Sequence, residues 1–279
     1  MLKFVGSLLG AFIIAAACVD SPAAQTAAQT KEEFVPQVGQ PGKDVVWVPS
    51  PEETVAKMME VGKITAQDFV VDLGSGDGRN VIAAAKLGAR GLGVEYNPDM
   101  VALSKRIAAK EGVAERAQFV QGDMYEADFS KATALALFLL PSNLTTLRDK
   151  IFNLPAGTRV VLNTFSIPDW TPDEQTTVEN CSQWCTVMLN IVPAKVAGTW
   201  RTGDGREFML TQQFQMLSGT ARGSDGQTIN VTGRLRGNDV MLSTGKQEFN
   251  GRVKGGVIEG SQRPNGGGAT QQLTLTKVK

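Results

Sequence analysis

The sequence predicts an α/β protein in two parts: a parallel sheet with helices on both faces, then a smaller antiparallel β-meander or barrel. Three observations carry this expectation. Between residues 44 and 193, short apolar runs alternate with segments whose apolar residues recur at about 3.6-residue spacing. The stretch FVVDLGSGDGRN, residues 69–80, joins a buried-strand pattern to a helix start through Gly74, Gly76 and Gly78. Beyond residue 194, helical spacing vanishes and alternating segments recur between glycine turns, where more than half of the 30 glycines gather.

The elements follow in order. Lys3 precedes an uncharged apolar run, and Ser21 and Ala23 supply small residues around a cleavage point, so residues 1–23 read as a signal peptide. The run is shorter than the ~20 residues that a membrane-spanning helix needs. An alternative is lipid attachment at Cys18 in AAAC, and membrane association is expected only through the leader or that lipid. The expected location is therefore outside the cytoplasm, in the periplasm or cell envelope. Residues 24–43 are rich in Ala, Gln, Thr, Pro and Gly and read as a linker. The first domain is expected over 44–193. It opens with a helix in SPEETVAKMMEVGKI, with Ser50 as cap, Pro51 in the first turn, and Glu52 and Glu53 at the positive end. Strands are expected at 69–73, 91–95, 117–121, 133–140 and 159–163, and helices at 80–87, 98–110 and 143–152. The β domain is expected over 194–279, with RPNGGGATQQ as its last loop.

Composition excludes several chemistries. Lys+Arg and Asp+Glu both number 28, so the chain has no net charge. A nucleic-acid binder needs a basic surface, so no nucleic-acid partner is expected. The chain has no histidine, which removes His-based triads, His metal sites and the usual proton acceptor near neutral pH. No metal site is expected. Cys181 and Cys185, in NCSQWC, are too few to hold zinc in one chain. Two readings stand: a small disulfide in an oxidising compartment, or two free thiols on one face of a helical turn.

The glycine-rich turn lets a ligand touch the backbone, and the amides at the following helix start favour an anionic group. Its spacing is G-x-G-x-G, where a dinucleotide site would carry G-x-G-x-x-G. Asp72 before it and Asp77 within it are hostile to a pyrophosphate and suit a ligand with a positive amine. Glu95, at the end of the second strand, lies where such sheets place the acid that binds ribose hydroxyls, about 20 residues beyond the glycines. Asp123 ends the third strand and can accept from an adenine amino group, with Met124 and Tyr125 beside it. Each acid alone reads as an ordinary loop residue. Three at successive strand ends point to S-adenosyl-L-methionine.

From about residue 46 to 170 the sequence resembles the class I, seven-strand methyltransferases. More narrowly, it is similar to the small lysine methyltransferases that include the mitochondrial enzymes acting on ATP synthase and on the adenine nucleotide translocase. The matching stretches are VVWVPSPEETVAKMM, VDLGSGDGR, GVEYNPDM, QGDMYEADF, LFLLPSN and GTRVVLNTFSIPDW. The whole chain resembles exported bacterial methyltransferase-like proteins. The resemblance implies a Rossmann-like seven-strand sheet and methyl transfer from S-adenosyl-L-methionine by in-line displacement to a protein lysine amine. A small-molecule acceptor and a non-catalytic binding protein are the alternatives. It assigns Asp72, Gly74, Ser75, Gly76, Asp77 and Gly78 to the methionine part, Glu95 to the ribose and Asp123 to the adenine, with Tyr96 and Met124 also expected at the cofactor. It places the acceptor channel between Leu140, Pro141 and Ser142 on one side and Trp47, Pro49 and Ser50 on the other. Trp47 would be a platform for a cation, where the family usually carries tyrosine. Ser142 and Asn143 either orient the amine or cap a helix. Trp170 reads as packing, and the β domain as packing, partner contact or oligomerisation.

Overall fold

The computed structural model describes residues 1–3, 6 and 34–278. The expected cleavage point, Cys18 and the first half of the linker lie outside the described residues.

Seven strands form one sheet: β1 (Phe69–Leu73), β2 (Arg90–Glu95), β3 (Ala117–Gln121), β4 (Ala134–Leu137), β5 (Arg159–Asn163), β6 (Glu174–Thr177) and β7 (Thr186–Ile191). Their order is β3-β2-β1-β4-β5-β7-β6. The first five run parallel and β7 runs antiparallel to both β5 and β6, so the sheet is mixed where a parallel one was expected. Alternating side chains of each strand serve opposite faces. Val71, Leu73, Leu135 and Leu137 pack on Leu144, Leu147 and Ile151 of α4 (Pro141–Phe152). Val70, Ala134, Ala136 and Val161 pack instead on Met58 and Met59 of α1 (Glu52–Val61) and on Ala84 of α2 (Arg79–Lys86). A third cluster joins α2 to α3 (Pro98–Lys110) around Phe119. Strand order reverses at β1, whose neighbours are β2 and β4, and a crevice opens at the carboxyl ends of such strands.

Local chemistry departs from expectation at two helix starts. Pro51, not Ser50, is the N-cap of α1, and no side chain bonds there. The Ser50 hydroxyl instead accepts from Asn163 Nδ2 at 2.9 Å, tying the segment before α1 to the end of β5. Proline also starts α4, so Leu140 becomes the N-cap and neither Ser142 nor Asn143 caps it. Asn143 donates to the Tyr125 hydroxyl at 2.7 Å. Cys181 and Cys185 form a disulfide in the β6–β7 loop, not a pair on a helical turn.

The second part is a closed eight-stranded antiparallel barrel. It comprises β8 (Gly198–Thr202), β9 (Glu207–Gln213), β10 (Met216–Arg222), β11 (Thr228–Arg236), β12 (Asp239–Ser243), β13 (Gln247–Lys254), β14 (Val257–Pro264) and β15 (Gln271–Lys277). Consecutive strands pair, and β15 returns to β8, so no edge is left open. RPNGGGATQQ spans the last hairpin connection. Trp200, Leu210, Leu217, Val231, Leu242, Ile258 and Leu275 fill the interior.

The barrel is seated on the sheet domain through aromatic stacking. Phe214, in the β9–β10 turn, stacks on buried Trp170 with ring centroids 5.1 Å apart and 7° between planes. Phe152 of α4 meets both rings edge-on, at 5.6 and 5.3 Å. Gln215 donates to the Thr171 carbonyl at 2.7 Å, and Arg234 donates to buried Asp173 at 2.8 Å. Removing the central ring should leave a large cavity. Trp170→Ala is expected to lower stability by about 3–5 kcal/mol. Urea unfolding followed by circular dichroism checks this, and a midpoint within error of wild type would show that the stack does not hold the two parts together.

Candidate active site

The turn after β1 is built around space for backbone alone. Gly74, Gly76 and Gly78 have φ of 73°, 54° and 83°. That left-handed region favours glycine. A Cβ on Gly76 would meet the Trp47 indole at 2.6 Å, and one on Gly78 would meet the Phe119 ring at 2.6 Å. Gly78 is the N-cap of α2, so the chain passes from strand to helix within this turn.

Asp72 is buried at the end of β1 and accepts from Asn80 Nδ2 at 3.0 Å. Burial pushes its pKa well above the ordinary carboxylate range; the Asn80 bond opposes this, and the Glu95 and Asp77 charges add to it. Asp77 differs: Arg79 Nη2 donates to it at 2.5 Å and Nε at 3.0 Å, so its charge is balanced within the turn. Arg79 also donates to the Ser50 carbonyl, which fixes the segment before α1 over the glycines. Ser75 Oγ and Asn80 Oδ1 are buried without a hydrogen-bond partner among the described residues.

At the end of β2, Glu95 accepts the Gly76 amide on Oε2 and the Asn97 amide on Oε1, both at 2.9 Å. At the end of β3, Asp123 accepts the Tyr125 amide on Oδ1 at 2.9 Å and pairs through Oδ2 with Lys43. That bond to Lys43, helped by the Tyr125 amide, lowers the Asp123 pKa. Lys43 also lies over the Tyr96 ring, 5.3 Å from its centroid. It belongs to a hairpin closed by Gly39 donating to the Trp47 carbonyl at 2.8 Å and Trp47 donating to the Gln40 carbonyl at 3.0 Å.

Two adjoining cavities result. One lies under the hairpin and is lined by Gly74, Glu95, Tyr96, Asp123 and Met124. The other lies over the glycine turn and is lined by Pro49, Ser50, Asp72, Ser75, Gly76 and Asp77. Trp47, Gly74 and Phe138 border both. The expected cofactor residues thus gather at one sheet edge, except that Gly78 acts through the backbone beneath it. Trp47 is expected on the acceptor side, yet it stands over Gly76 between the cavities. Leu140, Pro141 and Ser142 line neither cavity, because they turn away to start α4. Lys43, Asn80, Asn97 and Phe138 are not among the expected site residues, although Phe138 lies in LFLLPSN, the stretch expected at the acceptor channel.

Buried Asp72 is a stability liability at neutral pH. Its folded pKa is raised, so full stability holds below the unfolded pKa and falls as pH rises through the folded one. Asp72→Asn is therefore expected to stabilise the ligand-free protein at pH 7, with the gain fading in acid. Urea midpoints across pH measure this; a variant no more stable at pH 7 would contradict it.

Comparison with known proteins gives the site a family. The ANTKMT methyltransferase domain family matches residues 72–174. A protein-lysine N-methyltransferase of Saccharolobus islandicus is 39% identical over 151 residues, covering 53% of this chain and 94% of that protein. The adenine nucleotide translocase lysine N-methyltransferase of Mus musculus is 39% identical over 105 residues, but the match spans 37% of this chain and 46% of that protein. In structure, an RNA methyltransferase from Salinibacter ruber, solved with S-adenosyl-L-homocysteine, is 42% identical with a TM-score of 0.50 and covers 53% of this chain and 96% of that one. The cofactor is S-adenosyl-L-methionine, and the residues present fit it. Among the described residues, a buried carboxylate without a cation, an orphaned hydroxyl and an orphaned amide oxygen surround a turn with room for a ligand against backbone. With its methyltransferase sheet and a match that spans 94% of the Saccharolobus protein, the chain belongs to the family of S-adenosyl-L-methionine-dependent methyltransferases that includes that protein-lysine N-methyltransferase.

Proposed function

We propose that this methyltransferase modifies a lysine amine on a protein of the cell envelope. The observation that carries this reading is the similarity to the Saccharolobus protein-lysine N-methyltransferase over 94% of that protein's length. The absence of net charge, 28 basic against 28 acidic residues, favours a protein acceptor over RNA, whose phosphates call for a basic surface.

In this reading Asp72 and the turn through Gly78 take the methionine end of the cofactor, with Ser75 and Asn80 supplying the polar atoms that lack partners. Glu95 accepts from the ribose hydroxyls, and Asp123 from the adenine amine, which competes with Lys43. When bound, the cofactor supplies a methyl group on a sulfonium sulfur, open to in-line attack. The chain orients the amine, keeps it neutral and excludes water. Burial of the amine disfavours its charged form and lowers its pKa from about 10.4. The proton is lost to solvent before enclosure, so no histidine is required.

The Cys181–Cys185 disulfide supports an oxidising compartment and, with the leader at 1–23, an exported protein. We keep the linker at 24–43 and the catalytic part at 44–193, with Gln40 to Lys43, at the end of the linker, lining the cavity. The barrel over 194–279 is proposed as a seat for the sheet domain and a surface for partners.

The test is incubation of the full chain with labelled cofactor and envelope or cytosolic extracts, then hydrolysis and mass spectrometry of the labelled product. Methyl-lysine is expected, and methylated nucleotides in its place would overturn the acceptor reading. Glu95→Ala should weaken cofactor binding by about 1–3 kcal/mol, because the ribose hydroxyls lose their acceptor. Calorimetry checks this, and unchanged affinity would remove Glu95 from the cofactor site.

A further inference from the structure

Three aromatic side chains at the strand ends are not used by the cofactor residues. Phe138 follows β4, Phe165 follows β5, and Trp184 precedes β7. Phe138 stacks on Phe165, with centroids 6.1 Å apart and 12° between planes. Trp184 tilts against both, at 5.5 and 6.0 Å. All three remain partly exposed. Phe138 borders both cavities, so the cluster continues outward from where Trp47 meets the glycine turn.

The backbone that presents these rings is strained. Thr164, before Phe165, has φ 62°, and Trp184 has φ 56°. A β-branched and a bulky residue rarely adopt this region, and such strain persists only where the surroundings over-determine it. Thr164 is held by its amide donating to the Thr186 carbonyl at 2.7 Å and its hydroxyl donating to Asn163 Oδ1 at 2.9 Å. The same Asn163 holds Ser50, above the glycine turn. Trp184 lies inside the ring closed by the Cys181–Cys185 disulfide, and its carbonyl accepts from the hydroxyl of fully buried Thr54 on α1, at 3.1 Å.

We propose that Phe138, Phe165 and Trp184 form the wall of the acceptor site, taking the alkyl stem of a lysine and the ammonium that its amine becomes on methylation, and that the Cys181–Cys185 bond positions Trp184 within it. This rests on the lysine reading given above. Aromatic faces pack along the lysine methylenes and attract the positive charge that develops on the nitrogen as the methyl arrives. They also exclude water beside the attacking nitrogen. Of the three rings, Phe138 lines the two cavities, and Phe165 and Trp184 reach them through their contacts with it; the wall takes the acceptor role expected of Leu140, Pro141 and Ser142. Trp184 and Phe165 would touch the acceptor; Cys181 and Cys185 act only through Trp184.

The test uses the full chain saturated with S-adenosyl-L-homocysteine and two probes. One is Nα-acetyl-Nε-trimethyllysine methylamide, and the other is its neutral analogue with a tert-butyl group in place of the trimethylammonium. Calorimetry is expected to show the cationic probe bound about tenfold tighter. Trp184→Ala should abolish that preference while S-adenosyl-L-homocysteine affinity, which reports the fold, stays within about twofold of wild type. Trp184→Phe should restore most of the preference. Cys181→Ser/Cys185→Ser should weaken the cationic probe in the same selective way. So should dithiothreitol, which supplies two electrons and two protons to open the disulfide to two thiols and is itself oxidised to its cyclic disulfide. If wild type does not prefer the cation, the lysine reading fails and the proposal with it. If wild type prefers it and Trp184→Ala keeps the preference, the lysine reading stands and the aromatic wall is wrong. Equal loss of both ligands in Trp184→Ala, with no rescue by phenylalanine, would also overturn the wall.

Discussion

No side chain fits at residues 76 and 78, and the rest of the site depends on that constraint. Left-handed backbone at Gly74, Gly76 and Gly78 turns the chain from β1 into α2 within a few residues. The Trp47 indole and the Phe119 ring occupy the space where Cβ atoms would stand. Because the turn is tight, Asp72 is left buried beneath it and the Gly76 amide reaches Glu95 on the next strand. The sheet order sets the rest. Reversal at β1 brings the ends of β2, β3 and β4 around one crevice, so carboxylates distant in sequence face a single ligand.

The segment before the sheet closes this crevice. Its hairpin carries Lys43 to Asp123 and Trp47 to Gly76, and Ser50 is held from below by Asn163 and from the side by Arg79. Asn163 ends β5 and also fixes the strained Thr164. One buried amide side chain therefore links the cofactor turn to the aromatic cluster. The β6–β7 loop reaches that cluster from the other direction, anchored by Thr54 and its disulfide. The barrel lies outside this network. Its contribution runs through Phe214 and Trp170 to α4, whose first turn begins three residues after Phe138.

Much of the sheet was legible in the sequence because β1, β4 and β5 are buried on both faces and read as short, uninterrupted apolar runs. β6 was not, since EQTT is polar and largely exposed and has no period to detect. No strand was expected at β7 either, although TVMLNI is a short buried apolar run, and nothing local to it indicates strand direction. The glycines and three acids were legible as a cofactor pattern because strand ends and turn residues carry strong local signals. The Lys43–Asp123 pair was not, because its members lie 80 residues apart. Phe138 lies in LFLLPSN, but only the fold shows that its ring borders the cavities and that Phe165, from the next strand, stacks on it. The cap expected at Ser50, and the capping alternative at Ser142 or Asn143, failed for one reason: a proline stands at each helix start.

The central claim is that the turn from Asp72 to Gly78 and the strand ends beside it form the cofactor site, opening toward the aromatic cluster. A crystal structure of the full chain with S-adenosyl-L-homocysteine tests it most directly. The account predicts the amino-acid end of the ligand against Asp72 and the glycine turn, the ribose hydroxyls on Glu95, and the sulfur directed toward Phe138. A ligand bound elsewhere, or one in this crevice with its sulfur directed away from Phe138, Phe165 and Trp184, would contradict it.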